Sequence, residues 1–363
     1  MKLQVTQENL SRALNTVARV ASGRNTLPIL SNVLIRTDKN RLSVSATNLD
    51  IAITHFIGGK VDKDGAITIP ARLTQDFVSN LPDSVLKLDL DKHKLNIVTD
   101  KYQSSINGMP ADDFPVMPTI AGGNKWRVPA SEFKKALSQV VFAASSDDTR
   151  PVLTGVYFYS RAGEVIAAAT DSYRLAEKKV GKSKQAVNFL VPATAINDVL
   201  RIISDADKEV VITHDEQQVS FEVSDVTLVA RLVEGNYPDY QKLLPSKFST
   251  TAKMKRADFA NITKVSSLFA RESAGSVTIN VDKDEKLVSI NAIASQLGEN
   301  TAAASAEITG GGDVTLNSRY LIEALAAFSG DEVEFCFNGK LEPCILRSSS
   351  EPGYTHLIMP LRS

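Results

Sequence analysis

The chain has 363 residues, of which 43% are hydrophobic and 23% charged, and its formal net charge is -1. This composition is typical of a globular protein of two or three domains, and it argues against a strongly basic DNA-reading protein while saying nothing of local basic patches. The N-terminus has no apolar core of signal-peptide length, no apolar run could span a membrane, and two cysteines make no disulfide framework. We therefore expect a cytoplasmic protein with no membrane association.

A helix-and-strand pattern recurs along the whole chain. Six segments read as the start of an amphipathic helix, and neighbouring starts lie about 60 residues apart. These starts lie near Thr6, Pro70, Pro129, Pro192, Met254 and Asn317. Proline is expected in the first helical turn, because its missing N–H would be unpaired there anyway. A chain built from one repeated unit is suited to forming a surface or a ring rather than one catalytic cleft.

The repeat has two halves and occurs three times. Each half combines a helix with alternating strands joined by polar turns, such as Arg161-Ala162-Gly163. Segments rich in Pro, Gly, Ser and Thr separate the repeats at 119–125 and 245–252. The pattern predicts an α+β fold of three homologous domains, each with two helices packed on antiparallel β-sheets. Their predicted boundaries are residues 1–120, 126–246 and 250–363.

The predicted helices carry basic residues opposite their apolar faces. In the first helix, Leu10, Leu14 and Val17 form the apolar stripe. The basic residues expected on one common side are Arg12, Arg19, Arg72, Lys134, Lys135, Arg201 and Lys264. For one helix alone a solvated surface is the simpler interpretation, but six homologous helices on one side of the sheets would add their fields. With one tryptophan and 6% aromatic residues, the chain favours sequence-independent contact with duplex DNA phosphates over stacking on single strands.

An enzyme is the first alternative, and the sequence offers little for it. There is no phosphate-binding Gly-Lys-Ser/Thr loop, and the four histidines are scattered without metal-ligand spacing. Asp147-Asp148 is expected to be a turn, and Cys336 and Cys344 are expected to be buried structural thiols. We therefore expect no catalytic residue, no metal and no cofactor. A repeat-built scaffold that binds proteins but not DNA is the second alternative, although a scaffold would not require the basic helical faces.

Six stretches of the sequence carry a resemblance to a known family. They are MKLQV at the start, GRNTLPILSNVLI at 23–35, MPADDFP at 109–115, ATDSYRLA at 169–176, NYPDYQKLLP at 236–245 and LIMPLRS at the end. In this order and over a threefold repeat, they resemble the bacterial β sliding clamp, the processivity subunit of DNA polymerase III. The resemblance covers the whole chain and implies the DNA clamp fold, in which one chain forms half of a ring.

The resemblance implies a set of partners. It implies a homodimer closed head to tail, with sheets outside and helices lining a hole that encircles double-stranded DNA. It also implies a clamp loader, and a replicative DNA polymerase and repair proteins that bind through short hydrophobic linear motifs. Such a ring confers processivity by topological linkage, because the tethered polymerase stays near the primer end. Arg24 and Arg150 match positions that face DNA in the family.

The resemblance further implies an apolar cleft for partner peptides. The matching positions are Leu153, Thr170, Ser172, Tyr173, Arg174, Leu175, Pro238, Lys242, Leu243, Ile358, Met359, Pro360, Leu361 and Arg362. Without the resemblance, Leu153 and Leu175 read as core strand residues. We expect Arg174 and Arg362 to satisfy polar groups of the peptide, and we expect the apolar tail 357–363 to be an exposed binding surface.

Two regions depart from the family pattern. Ser172 and Tyr173 stand where the family commonly has a small residue and a histidine, which predicts a cleft rim of different polarity and width. The resemblance places the dimer interface at Ser104 on one edge and at Leu268, Phe269 and Glu299 on the other. Acidic residues are few at the second edge, so the interface is predicted either to be weaker or to depend on backbone strand pairing.

Overall fold

The computed structural model describes residues 1–21, 27–38, 40–294 and 298–362. It divides into two compact units, of which the first comprises Met1–Phe133 and Thr194–Leu232, and the second Lys134–Ala193 and Val233–Ser363. Within the described ranges, no helix is long and apolar enough to cross a membrane.

The helices begin close to where the sequence predicts them. They are α1 (Gln7–Ala21), α2 (Ala71–Ser79), α3 (Ala130–Ser138), α4 (Ala193–Ile202), α5 (Arg256–Ser267) and α6 (Ser318–Ala327). The expected place of proline is wrong in detail: Pro70, with φ -54° and ψ 118°, ends a strand and comes directly before α2 instead of forming its first turn. A strand end tolerates proline because no ladder hydrogen bond is lost beyond it.

The strands follow the threefold repeat. The first repeat contains β1 (Lys2–Thr6), β2 (Asn32–Asp38), β3 (Arg41–Thr47), β4 (Ile51–Gly58), β5 (Lys60–Lys63), β6 (Ala66–Pro70), β7 (Val85–Asp91), β8 (Lys94–Val98) and β9 (Gln103–Asn107). The second contains β10 (Asn124–Pro129), β11 (Gly155–Arg161), β12 (Glu164–Thr170), β13 (Arg174–Lys182), β14 (Asn188–Pro192), β15 (Glu209–His214), β16 (Gln218–Val223) and β17 (Val226–Arg231). The third contains β18 (Thr250–Lys255), β19 (Ser276–Asp282), β20 (Leu287–Ala294), β21 (Gly298–Ser305), β22 (Glu307–Thr309), β23 (Gly312–Asn317), β24 (Glu332–Phe337), β25 (Cys344–Arg347) and β26 (Tyr354–Ile358).

Each unit contains two antiparallel sheets. In the first unit, the strand orders are β5-β1-β7-β8-β9 and β10-β15-β16-β17-β4-β3-β2-β6. In the second unit, they are β14-β11-β12-β13-β26-β25-β24-β18-β22 and β21-β20-β19-β23. Helix α1 packs on β3 and β4 and against α2, and α5 packs on β20 and β21 and against α6. The α+β prediction, with helices packed on antiparallel sheets, is confirmed.

Two strand pairs join neighbouring repeats edge to edge. Strand β4 pairs with β17, where Ile51 lies opposite Ala230, and β13 pairs with β26, where Arg174 lies opposite Ile358. Backbone hydrogen bonds therefore continue from one repeat into the next, and no open edge remains at either joint. The middle repeat therefore contributes strands to both compact units, and the boundaries of the units differ from those of the three predicted domains. The domain boundaries stay a prediction.

The apolar helix faces predicted from the sequence are buried. Leu10, Leu14 and Val17 of α1 are fully buried, and burial of such a side chain contributes roughly 1.5–3 kcal/mol. In α3, the ring centroid of Phe133 lies 6.0 Å from that of Phe221 on β16. Tertiary packing of this kind is what stabilises short helices, since an isolated helix of this length is marginal in water.

One tight turn occurs in the same form in the first and second repeats. The Asn48 side chain accepts the N–H groups of Asp50 and Ile51, at 3.1 and 2.8 Å. The Asp171 side chain does the same for Tyr173 and Arg174, at 2.9 and 3.0 Å. The residue after each acceptor has a left-handed backbone, with φ 78° at Leu49 and 79° at Ser172. Both positions favour glycine because a Cβ is strained there.

Replacing Leu49 by glycine is expected to stabilise the protein. Glycine removes the left-handed strain at an exposed side chain, so the free energy of unfolding should rise by about 0.5–1 kcal/mol. Ser172→Gly should gain less, because the Ser172 hydroxyl also accepts a hydrogen bond from Arg150 Nη1 at 2.8 Å. Calorimetric melting of both variants checks this. A lower melting temperature for Leu49→Gly would mean that the leucine contributes packing that outweighs its strain.

Candidate functional site

A basic surface lies on α1 and α4 of the first unit. Arg12 and Arg19 are exposed, on the side of α1 opposite its buried leucines. Together with Arg201 of α4 they line an open pocket of about 490 Å³, which also contains Glu8 and Asp198. Arg201 Nη1 lies 2.8 Å from Asp198 Oδ1, and burial, opposed by Arg201, raises the pKa of Asp198. The surface is therefore basic but partly neutralised, as suits weak contact with a polyanion.

The other predicted DNA-facing residues have different surroundings. Arg72 and Lys264 are exposed, Lys134 is half-buried, and Arg150 is exposed in a loop where it bonds Ser172. Arg24 lies outside the described residues. None of these positions is tested by the structure as a DNA contact, so their role stays a prediction.

Lys135 has a carboxylate partner inside the second unit, and its role as a DNA contact stays a prediction. Its Nζ lies 2.7 Å from Oε1 of Glu351, whose side chain is only 2% exposed. The same carboxylate accepts the Gln139 side chain at 2.8 Å and the backbone N–H of Ser329 at 3.1 Å. Burial alone would raise the pKa of Glu351, but the hydrogen bonds from Lys135 and Ser329 hold it below its ordinary value. Lys135 therefore stabilises a buried carboxylate within the second unit.

Lys135→Gln is expected to destabilise the protein in a pH-dependent way. Loss of the cation beside Glu351 should cost about 1–2 kcal/mol at pH 7, discounted because the lysine is half exposed. Because the pKa of Glu351 is depressed in the folded state, this stabilisation exists above the ordinary pKa near 4.5 and is lost as the pH falls through the folded pKa. Thermal melting between pH 3 and pH 7 measures it. Lys179→Gln is the control, since it breaks an exposed pair with Glu164 and should change little.

The predicted cleft residues all belong to the second unit. Leu175 is buried in an apolar cluster with Tyr240, Ile345 and Leu357, and Met359 packs against this cluster. Leu153 is also buried, as a core residue would be. Two large apolar side chains remain open to solvent beside the cluster, Tyr173 at 61% and Leu243 at 51% exposure. Pro238 and Lys242 are exposed, and Thr170 is buried with its hydroxyl donating to the carbonyl of Arg174 at 2.6 Å.

Arg174 is not available to a peptide in the way that the sequence suggested. Its guanidinium donates to Asp171 Oδ2 at 3.0 Å, to the Phe142 carbonyl at 2.8 Å and to Glu323. Its Cζ lies 5.3 Å from the ring centroid of Phe142 and 4.7 Å from that of Tyr320. All three guanidinium nitrogens have partners inside the second unit, so Arg174 connects β13 to the segments that carry Phe142 and Glu323. Sequence reasoning missed Phe142, Tyr320 and Glu323 because they come from distant segments.

The expectation of an exposed tail from residue 357 is wrong for its first part. Leu357 and Ile358 belong to β26 and are buried, because β26 pairs with both β13 and β25. Met359, Pro360 and Leu361 are half-buried and Arg362 is exposed. The Met359 N–H donates to the Tyr173 carbonyl, and the Leu361 N–H donates to the Thr315 carbonyl, both at 2.8 Å. Only the segment 359–362 is therefore a candidate surface.

Two of the strands that lie at the end of a sheet, among the described residues, contain residues of the predicted dimer interface. They are β9, which contains the half-buried Ser104, and β21, which contains the exposed Glu299. Leu268, one residue after α5, is 53% exposed, and Phe269 is half-buried. Ile293 on β20 is 67% exposed, and the sequence analysis did not include it in the dimer interface. An apolar residue close to the predicted edge was a signal that could have identified it. The dimer edges stay predictions.

The remaining candidates for chemistry have structural explanations. Burial, helped by Arg12, lowers the pKa of His55 to about 4, and burial next to Arg174 lowers the pKa of His356 to about 3. Asp147 accepts the Thr149 N–H at 3.0 Å, so the turn prediction is confirmed. Cys336 and Cys344 are free and buried, as expected. Across the described ranges, no three potential metal ligands converge.

Family models match nearly the whole chain. The model of the DNA polymerase III beta subunit N-terminal domain matches residues 1–118, that of the central domain matches 127–239, and that of the C-terminal domain matches 241–362. A beta sliding clamp from Synechocystis sp. is 32% identical to this chain, covering 100% of it and 99% of its own length. A beta sliding clamp from Staphylococcus epidermidis is 29% identical, with 100% of both chains covered.

Solved structures share the fold over the full length. The crystal structure of the DNA polymerase sliding clamp from Bacillus subtilis matches with a TM-score of 0.95 and 27% identity, covering 100% of this chain and 99% of that one. The sliding clamp from Pseudomonas aeruginosa bound to griselimycin matches with a TM-score of 0.95 and 24% identity, covering 100% of both chains. Because its identity is only 24%, the second match is evidence for a shared fold and for nothing further.

Proposed function

Since the chain belongs to the family of DNA polymerase III β subunits, the bacterial β sliding clamps, we propose that two copies of it close around double-stranded DNA and tether the enzymes that work there. It is a DNA sliding clamp, a non-catalytic subunit that confers processivity. The alternative of a scaffold without DNA encirclement is not favoured. A partner of the replicative polymerase works in the bacterial cytoplasm, which is the location that we propose.

The basic surface of α1 and α4 carries the DNA part of the proposal. Arg12, Arg19 and Arg201 offer guanidinium groups for phosphates, while Glu8 and Asp198 in the same pocket limit how tightly a polyanion can be held. The described residues that line that pocket include no aromatic side chain, so it offers no platform on which unpaired bases could stack. A weak, sequence-blind interior lets a closed ring slide, because the topology of the ring and not the affinity prevents its loss.

Retention on DNA of different topology tests the proposal. The protein is loaded onto nicked circular plasmid with a clamp loader and ATP, and half of the sample is then linearised. A sliding ring should stay on circles at raised salt and leave linear DNA through its ends. Equal loss from both forms would mean ordinary electrostatic binding, which depends on salt and not on topology.

The partner-binding proposal concerns the second unit. Tyr173, Leu243 and Met359 offer adaptable apolar contacts beside the buried cluster, which suits short hydrophobic anchors. We assign the clamp loader, the replicative polymerase and repair proteins to this cleft. The Pseudomonas aeruginosa relative binds griselimycin, and we propose that the same compound binds here. The Leu243→Ala and Met359→Ala variants should weaken griselimycin binding, as measured by calorimetric titration.

The dimer is proposed to form by pairing of β9 in one copy with β21 in the other. The variant Leu268→Glu should shift the protein toward monomer, because a carboxylate would be buried in an apolar contact beside β21. Light scattering after size exclusion, over a dilution series, measures the shift. Leu341→Glu is the matched control, since Leu341 is 66% exposed in the turn between β24 and β25, which belong to another sheet than β21. Equal behaviour of the two variants would contradict the placement of the interface.

A further inference from the structure

Glu177 is a buried carboxylate on β13 with three donors around it. Its Oε2 accepts the hydroxyl of Tyr240 at 2.6 Å and that of Tyr159 at 3.2 Å, and its Oε1 accepts Arg161 Nη2 at 2.8 Å. The two hydroxyl oxygens lie 2.9 Å apart. Glu177, Tyr159 and Tyr240 are all buried, whereas Arg161 is partly exposed. Bonds to a charged acceptor in a dry site are stronger than neutral ones, so this network restrains Tyr240 firmly.

Tyr240 belongs to the segment 236–245, which we call the strap. The strap lies over one face of the nine-stranded sheet, where Tyr240 and Tyr237 pack against the sheet and Pro238, Lys242 and Leu243 are exposed. The Tyr237 ring stacks on that of Tyr157, with centroids 4.7 Å apart and planes 17° apart. The three strap residues assigned to the partner cleft are among those that face solvent. Whatever fixes Tyr240 therefore also fixes one wall of that cleft.

The first repeat has a segment that corresponds to the strap, and apolar packing holds that segment on its sheet. Phe114 follows Asp113 there as Tyr240 follows Asp239, and Phe114 packs against Ile29, Leu30 and Leu34. Counting from the shared turn, Thr54 takes the position of Glu177 and bonds only to Ser45, at 3.0 Å, in the contacts described. Apolar packing is thus sufficient to cover the sheet. The carboxylate, the two phenols and the arginine occur in the repeat that carries the cleft.

Stability alone does not explain this network. Burying a carboxylate has a large desolvation cost, and replacing a buried charged network by apolar groups of similar volume is often neutral or stabilising. A network of directed hydrogen bonds does define one position for the strap, which an apolar contact defines less sharply.

We propose that Glu177 is a positioning residue of the partner cleft, which accepts the Tyr240 hydroxyl and so holds the strap in the conformation that partner peptides bind. The inference rests on the proposed partner-binding function of that cleft. The strap residues that contact a peptide remain Pro238, Lys242 and Leu243, and Glu177 acts through Tyr240 without touching the ligand.

A variant with an apolar network separates positioning from stability. The variant combines Tyr159→Phe, Glu177→Leu and Tyr240→Phe in the full-length protein, and Arg161 is left in place because it reaches solvent. Its melting temperature should equal or exceed that of the wild type. Amide hydrogen exchange of residues 236–245 should become faster, while exchange in β11–β13 should not change. Griselimycin affinity should fall by about tenfold if the strap is correctly placed only a tenth of the time.

The controls make the result decisive. Lys179→Gln changes a charge on the same strand through an exposed pair with Glu164, and it should alter neither exchange in the strap nor affinity. Unchanged affinity and unchanged strap exchange in a folded triple variant would overturn the inference while leaving the cleft in place. Loss of affinity without faster strap exchange would also overturn it. Failure of the wild type itself to bind griselimycin would instead remove the proposed cleft, and the inference with it.

Discussion

Replacing Arg174 by alanine is expected to cause the largest loss of stability of any change near the cleft. The side chain is 7% exposed, and its guanidinium serves Asp171, Glu323 and the carbonyl of Phe142 at once. Truncation leaves two partly buried carboxylates and one carbonyl without their donor, and it opens a gap between two aromatic rings. Because the carboxylates keep some access to water, we expect a cost of about 3 kcal/mol, at the lower end for a broken buried pair. The melting temperature should fall by about 6–12 °C, measured by calorimetry.

Arg319→Ala is the matched control for this experiment. Arg319 Nε bonds the same Glu323 carboxylate at 2.8 Å, but its side chain is 77% exposed, so its loss should cost less than about 0.5 kcal/mol. Burial alone would raise the pKa of Glu323, but hydrogen bonds from Arg319 and Arg174 lower it below the ordinary value. The stabilisation from Glu323 therefore exists above its ordinary pKa near 4.5 and disappears as the pH falls through the folded pKa. Equal losses in both variants, or a loss from Arg174→Ala that is as large at pH 3 as at pH 7, would contradict this account of Arg174.

The local features of the fold were readable from the sequence because they depend on neighbouring residues. A helical period, a polar turn and a strand alternation each extend over a few positions, so the starts of the helices and the burial of Leu10 and Leu14 follow directly. The resemblance added what periodicity could not supply, namely the expected positions of the cleft and of the dimer edges, which stay predictions. Those positions came from short motifs in matching order, and no single motif would have been sufficient.

The partners of individual charges could not be read in this way. Arg174 and Glu323 are 149 residues apart in the chain, and Lys135 pairs with a glutamate in the next repeat. A basic residue on a helix looks the same in sequence whether it faces a phosphate or neutralises a buried carboxylate. The tail shows the same limit, because Leu357 and Ile358 become core residues only through strand pairing with β13 and β25.

The carboxylate partners of Lys135 and Arg201 change how the basic surface should be tested. Lys135 should be excluded from any neutralised set, since its loss would destabilise the fold and imitate a defect in DNA binding. Arg201 is less suitable for a similar reason, because Asp198 already pairs with it. Among the exposed residues that are left, Arg12, Arg19 and Arg72 form a compact set in the first unit, because all three lie on α1 or α2.

The combined variant Arg12→Gln, Arg19→Gln and Arg72→Gln is expected to weaken DNA contact strongly without unfolding the protein. If each residue meets one phosphate, the slope of log affinity against log salt should become shallower by about 2–3, since each neutralised phosphate contributes about 0.9. Binding to a short duplex, measured by fluorescence anisotropy over a range of salt, gives this slope. The melting temperature should stay close to that of the wild type, because exposed substitutions of this kind change stability by less than about 0.5 kcal/mol.

The control for this variant removes the same charge from another surface. Lys60, Lys87 and Lys94 are exposed on β5, β7 and β8 of the same unit, and their change to glutamine alters the net charge equally. If both triple variants lowered the slope by the same amount, the overall charge of the protein and not the helical face would attract DNA. If only the arginine variant does so, its retention on circular plasmid should still exceed that on linear plasmid. A ring with a weakened interior stays topologically closed, so charge and topology contribute separately to its hold on DNA.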